Sequence, residues 1–197
     1  QRSAAAASEG SNGQAPGRAT AAGLDADTTL GVTAGDIDLN GTVTGGGAVT
    51  VEATAGDISG TDIDIEGASV ELTGPVTATD SASIVATTGD ATLNDDMTST
   101  GSILIGAASG KVTAAGLDAD TTLGVTAGDI DLNGTVTGGG AVTVEATARD
   151  IPGTASDIEG DSVQLTGPFT ATASASTVPT PGHATLHAHL PPSTSTP

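Results

Sequence analysis

Thirty-six letters, TAAGLDADTTLGVTAGDIDLNGTVTGGGAVTVEATA, run from Thr20 to Ala55 and return unchanged from Thr113 to Ala148, a displacement of 93 residues. Duplication on this scale constrains the fold more than any single motif does. A chain that repeats its text folds as a repeat architecture, in which each unit buries its apolar side against the next one. A catalytic site is one constellation of unlike residues, so the duplication points to a structural role and away from an enzyme.

A shorter rhythm runs inside the long one. A polar stretch, a glycine, one variable residue and an apolar residue recur with the glycine at Gly17, Gly35, Gly56, Gly74, Gly89, Gly110, Gly128, Gly167 and Gly182, and with Arg149 in the same slot. The steps are 18, 21 or 15 residues, and the five from Gly35 to Gly128 add up to the 93 of the long repeat, which predicts coils of about 19 residues. Each unit carries the two-residue alternation of a strand, as in Val51-Glu52-Ala53, Val70-Glu71-Leu72, Ile103-Leu104-Ile105 and Ile37-Asp38-Leu39. Turn formers separate these runs, notably Asn40-Gly41, Gly45-Gly46-Gly47, Thr73-Gly74-Pro75 and Asn94-Asp95. No segment holds a helical apolar period, so helix is expected to be nearly absent.

The chain has one Phe, no Tyr and no Trp. Aromatic residues bury about 150–250 Å² each and dominate wide cores, so a core made of Val, Ile, Leu, Ala and Thr suits a narrow interior. An all-β, parallel β-solenoid with one coil per rhythm unit fits this composition; two tandem β-sandwich domains of about 93 residues are the alternative. Residues 1–16, rich in Ala, Ser and Gly without a period, are expected to be a poorly packed or disordered lead-in. The repeat region is expected over 17–176. Residues 177–197 read as a degenerate tail rich in Pro, which cannot donate to a sheet ladder.

Charge narrows the partners. Twenty-four acids stand against Arg2, Arg18, Lys111 and Arg149, a net charge of −20. Nucleic acid and anionic lipid need clustered cations and are not expected partners. A solvated extracellular surface, a saline habitat or divalent cations fit the sign. The absence of Cys removes disulfides and thiolate metal sites. No apolar run approaches the ~18 residues of a membrane span, and Gln1–Ala7 lacks the apolar stretch of a signal peptide, so an export signal is expected outside this chain.

Tandem text of the form GDIDLNGTVTGGGAVTVEATAGDISG, over roughly residues 17–175, resembles the central repeats of filamentous-haemagglutinin-type exoproteins, the bacterial adhesins of two-partner secretion. The resemblance implies a right-handed parallel β-helix at the cell surface or secreted, an outer-membrane transporter as export partner, and a host-cell or carbohydrate receptor. The family's amino-terminal secretion domain is not in this text, and no functional residue transfers.

Candidate chemistry is sparse. Asp36-Ile37-Asp38-Leu39-Asn40-Gly41, repeated from Asp129 through Asp131 and Asn133 to Gly134, matches the first half of a calcium-binding loop. These six polar residues are the candidate metal ligands and calcium the one candidate cofactor. The position of the closing Glu is Gly47 or Gly140, and Ile and Leu between the acids read as the inward side of a strand. Asn40-Gly41-Thr42 and Asn133-Gly134-Thr135 are formal glycosylation acceptors. Thr pairs such as Thr42/Thr44, Thr77/Thr79 and Thr98/Thr100 would suit an ice-binding face only if one pair recurred in every coil. His183, His187 and His189 cluster in the Pro-broken tail. A polysaccharide-acting β-helix enzyme needs clustered carboxylates, a cation and sugar-stacking aromatics, and only Asp95-Asp96 are adjacent acids.

If the anchor glycines stack, the residues after them form one column: Arg18, Asp36, Asp57, Pro75, Asp90, Lys111, Asp129, Asp150, Pro168 and His183. Arg18 and Lys111 then lie beside acids and are expected to form exposed pairs between coils. Arg149 is expected to strain its corner if the slot needs positive φ, making the second copy the less regular one.

Overall fold

The computed structural model describes residues 17–148, 151–153, 157–167, 169–171, 176–179 and 184–187, with side chains described for 17–148 and 157–167. The 1–16 lead-in, Arg149, Asp150, Pro168, His183 and His189 lie outside the described residues. All regular structure described is strand, and every pairing is parallel. No helix among the described residues is long and apolar enough to cross a membrane. The fold is a β-solenoid of about 20 residues per turn, slightly longer than the 19 expected.

Three ladders run along it. The first joins Arg18–Ala21, Asp36–Leu39, the starts of Ile58–Gly67 and Val76–Ala86, Met97–Ser99, Leu117–Ala119, Val136–Gly138, Asp157–Gly160 and Ser176–Pro179. The second takes Leu24–Ala26, Thr42–Gly45, the ends of Ile58–Gly67 and Val76–Ala86, the starts of Ile103–Ala114 and Leu123–Leu132, Ala141–Ala146, Ser162–Thr166 and Ala184–His187. The third holds Leu30–Ala34, Ala48–Ala53, Ser69–Thr73, Ala91–Leu93, the ends of Ile103–Ala114 and Leu123–Leu132, Ile151–Gly153 and Phe169–Ala171. The stack thus runs past residue 176. Ala184–His187 keeps the strand-forming Ala-Thr-Leu text of Ala91–Leu93 and pairs with Val163–Thr166.

The alternation seen in the sequence builds the core. Every second residue of a strand faces inward, and register stacks these residues into aliphatic columns. Ile37, Ile58, Val76, Met97, Leu117 and Val136 form one such column, and Val43, Ile65, Ile84, Ile105, Val125 and Val144 another. All twelve are at most 1 % exposed. Each large side chain buried this way contributes about 1.5–3 kcal/mol. Ser99 is the one buried polar side chain among the described residues, and its hydroxyl donates to the Asp80 carbonyl at 2.8 Å while accepting from the Gly101 amide at 3.2 Å.

The superrepeat does not close on a whole number of turns. Following register from Arg18 through Asp36, Asp57 and Pro75 to Asp96 counts four turns on the first ladder, and Lys111 lies two ladders further on, in the third. Ninety-three residues therefore make four and two-thirds turns. The same text begins on the first ladder in one copy and on the third in the other. The single glycine column expected from the sequence is accordingly broken between Pro75 and Asp90: Pro75 is level with Asp96, and Asp90 with Ser69. The 15-residue step is a partial turn from one ladder to another.

The corners are as interchangeable as the faces. Thr54 Oγ1 donates to the Ala34 carbonyl at 3.1 Å, and its copy Thr147 donates to Ala127 at 3.1 Å across a different corner. The amides of Gly46 and Gly139 each reach the preceding turn at 2.8 Å, on Ala26 and Ala119. Glycine is needed there for clearance, since a Cβ on Gly46 or Gly139 would collide with the carbonyl oxygen of Asp27 or Asp120. Of the described anchor glycines only Gly74 and Gly167 have positive φ, at 107° and 121°. Gly56, the first-copy equivalent of Arg149, does not, so its slot imposes no left-handed backbone.

Candidate functional site

Because the core is a closed column of aliphatics, chemistry is confined to the outward positions. Asp36 and Asp57 stand level on adjacent turns of the first ladder, but the column two residues further along that ladder and one on the second ladder keep acids apart. On the first ladder the outward column reads Thr20, Asp38, Ser59, Thr77, Thr98, Asp118 and Thr137. On the second it reads Asp25, Thr44, Glu66, Val85, Gly106, Thr126, Glu145 and Thr166. No acid in either column sits directly on another. Two carboxylates stacked ~4.8 Å apart in water would repel by about 0.9 kcal/mol, and two turns apart by about 0.4 kcal/mol before screening. At two turns the separation already exceeds the ~8 Å screening length of physiological salt. Neighbouring hydroxyls donate to other outward acids: Ser81 Oγ lies 2.7 Å from Asp62, and Thr42 Oγ1 lies 3.4 Å from Asp64. Thr77 and Thr98 do stack in register, but Ser59 above and Asp118 below end the row after two.

Both described cation pairs exist, one residue pair away from the expected acids. Lys111 is level with Asp129 and its backbone amide donates to the Asp90 carboxylate at 2.7 Å, yet its Nζ binds Asp131 at 2.8 Å. Arg18 is level with Asp36 and binds Asp38 at 2.6 Å. The reason is reach: a long side chain leaving a corner extends along the next turn and meets the acid two residues on. The side chains of Arg18 and Lys111 remain 60 % and 40 % exposed, so each pair is worth about 0–1 kcal/mol.

These pairs bear directly on the calcium candidates. Asp36 and Asp38 lie on an extended strand with Ile37 and Leu39 buried between and after them, where a calcium loop would wrap around an ion. Asp38 Oδ2 is taken by Arg18, and its Oδ1 accepts Asn40 Nδ2 at 2.9 Å. In the second copy Asp131 holds Lys111, Asp129 is half-buried beside Ile130, and Asn133 is exposed at a corner. Among the described residues no group of three His, Cys, Asp or Glu side chains is gathered to hold a metal. Of the histidines, His187 is described only in its backbone strand.

Corner carboxylates have a different job. Asp90, Asp95 and Asp96 accept the backbone amides of Lys111, Gly74 and Gly116 in adjacent turns, at 2.7, 2.9 and 2.8 Å. They satisfy donors that the strand ladders leave open at the bends. The Asp95-Asp96 pair, the only adjacent acids, is thus split between the turn before and the turn after. A shallow groove beside it is floored by Met97 and Leu117 and walled by Asp96, Asp118, Thr98 and Thr137; no Lys, Arg or His lines it. It offers hydroxyls and carboxylates to solvent.

Two large outward residues depart from the polar rule, the half-buried Val85 and the exposed Leu104. Leu104, in the middle of the apolar triplet Ile103-Leu104-Ile105, is 52 % exposed on the second ladder and is the exposed large hydrophobic among the described residues. Three consecutive apolar letters in an alternating strand were the available signal. No protein-family model matches the chain, and comparison with curated proteins and with solved structures gave no match either.

Proposed function

We propose that the chain is a structural or adhesive segment of an extracellular bacterial surface protein, a repetitive β-helical stalk whose length and surface are its function. The observation that carries this reading is the stack itself: parallel ladders continue from Arg18 to His187, and in the strands whose side chains are described one side lies in the core and the other in water. Such a body extends by adding turns without altering its cross-section. Its outward Thr, Ser and acids keep a long surface hydrated and discourage association between copies. The resemblance of its repeats to haemagglutinin-type exoproteins supports placement at the cell surface, with an outer-membrane transporter for export and a host-cell or carbohydrate receptor for adhesion.

The test is to display one, two and three copies of the 93-residue superrepeat beneath a terminal tag on a bacterial surface and measure the tag's height. Each added copy is expected to raise it by about 22 Å, four and two-thirds turns at ~4.8 Å per turn. A height that does not grow with copy number contradicts the stalk.

A further inference from the structure

The second ladder carries a neutral face in an otherwise acidic molecule. Across three consecutive turns, Ser81–Ala86, Ile103–Ala107 and Leu123–Ala127, there is no charged residue, although the chain's net charge is −20. Register puts Val85 beside Gly106 and Leu104 beside both Ser83 and Gly124. Leu104 is 52 % exposed and Val85 half-buried. A Cβ on Gly106 would meet nothing within 4 Å, so glycine there answers no demand of the fold and leaves the face low around Leu104. Acids stand at both ends: Asp64 and Glu66 one turn before the neutral face, and Glu145 one turn after it.

We propose that this face docks a basic amphipathic helix of a partner protein, its apolar stripe against Leu104 and Val85 and its Lys or Arg residues reaching Glu66 at one end and Glu145 at the other. Charge decides the occupant. A second copy would bring the same acidic rims together, whereas cations complement them. Conformation decides the form. The face of a sheet has no free backbone donors or acceptors, so an extended peptide laid on it would leave its own groups unpaired, while a helix satisfies them internally. Glu66 and Glu145 are four turns apart, ~19 Å, the length of a helix of about 13 residues. This inference does not depend on the stalk reading.

The probe is a fluorescein-labelled 14-residue Leu/Lys helical peptide with lysines at both ends, titrated with the chain by anisotropy in 0.15 M salt. Leu104→Ser and the double variant Glu66→Gln/Glu145→Gln are each expected to weaken binding at least fivefold, with Asp25→Asn, an acid two turns before Glu66 in the same column and three from Val85, changing it less than twofold. A peptide with Glu for Lys is expected not to bind. Leu104→Ala serves as a second variant if Leu104→Ser alters the circular dichroism. The proposal is overturned if the Lys peptide does not bind, if Asp25→Asn weakens it as much as the rim variant, or if the Leu104 variants bind like the parent. It is equally overturned if sedimentation shows the parent chain dimerising and Leu104→Ser monomeric, which would make a second copy the occupant.

Discussion

The two copies of the 36-residue text fold alike, and where they differ the text cannot be the cause. In the first copy Leu30–Ala34 and Asp36–Leu39 are separate strands; in the second the same letters form one strand, Leu123–Leu132. Leu24 and Ala26 are half-buried, whereas Leu117 and Ala119 are 1 % exposed. The first copy lies toward one end of the described stack, and the second has described turns on both sides. Within these 36 residues regularity therefore follows from how many neighbouring turns cover a coil, whereas Arg149, on which the expectation of a less regular second copy rested, lies outside the described residues.

The largest test of that difference is in the core. Leu117→Ala should lower unfolding free energy by about 2–5 kcal/mol, the usual cost of a buried Leu truncation. Its textual twin Leu24→Ala should cost only about 1–2 kcal/mol, because less area returns to water. Equal losses in urea melts would mean that text outweighs position.

Glycines sharpen it next. Gly74→Ala should cost about 1–2 kcal/mol, since φ is +107° and the new Cβ would press on Ala53. Gly31→Ala should instead stabilise by about 0.4–1 kcal/mol, because its Cβ meets nothing within 4 Å and the unfolded chain loses freedom. The twin change Gly124→Ala should gain less, being 3.2 Å from Leu104 Cδ1. Thermal melts of the three variants would show the order directly.

Smaller still are the ion pairs. A double-mutant cycle on Lys111 and Asp131 should give about 0.5–1 kcal/mol, and one on Arg18 and Asp38 less, in keeping with 40 % against 60 % exposure of the cation. Both couplings should fade in 1 M salt. Smallest of all is calcium: with Asp38 held by Arg18 and Asn40, and Asp131 by Lys111, millimolar calcium should leave the melting midpoint unchanged to within about 1 °C per the small shift expected of non-specific screening. A rise of several degrees would show a specific site.

Much of the fold was legible in the letters. The alternation in Val51-Glu52-Ala53 and Val70-Glu71-Leu72 marks strands that the structure pairs in register, and the missing aromatics fit a core whose columns are Ile, Val and Leu. What was not legible is which side of the solenoid each glycine belongs to. Gly74 and Gly89 look like successive corners of one edge because all three edges use the same letters, and only pairing shows Pro75 level with Asp96. The ion pairs were legible to within two residues, since letters carry no side-chain reach. At the neutral face, Leu104 stood in plain view, but its neighbours Val85, Gly106 and Gly124 are assembled from three separate turns and become a surface only through register.

That register is the central claim, and the absence of native cysteine makes it directly measurable. Two double variants decide it: Thr77→Cys with Thr98→Cys, and Thr77→Cys with Thr92→Cys, oxidised in the folded state. Neighbouring parallel strands stand ~4.8 Å apart, within the span a disulfide bridges, and Thr77 and Thr98 face each other on the first ladder. Thr92 is on the third ladder, level with Thr113. Rapid cross-linking of 77 with 98 and none of 77 with 92 is the result expected from a superrepeat of four and two-thirds turns. Cross-linking of 77 with 92 in preference to 98 would restore the single glycine column and contradict the account.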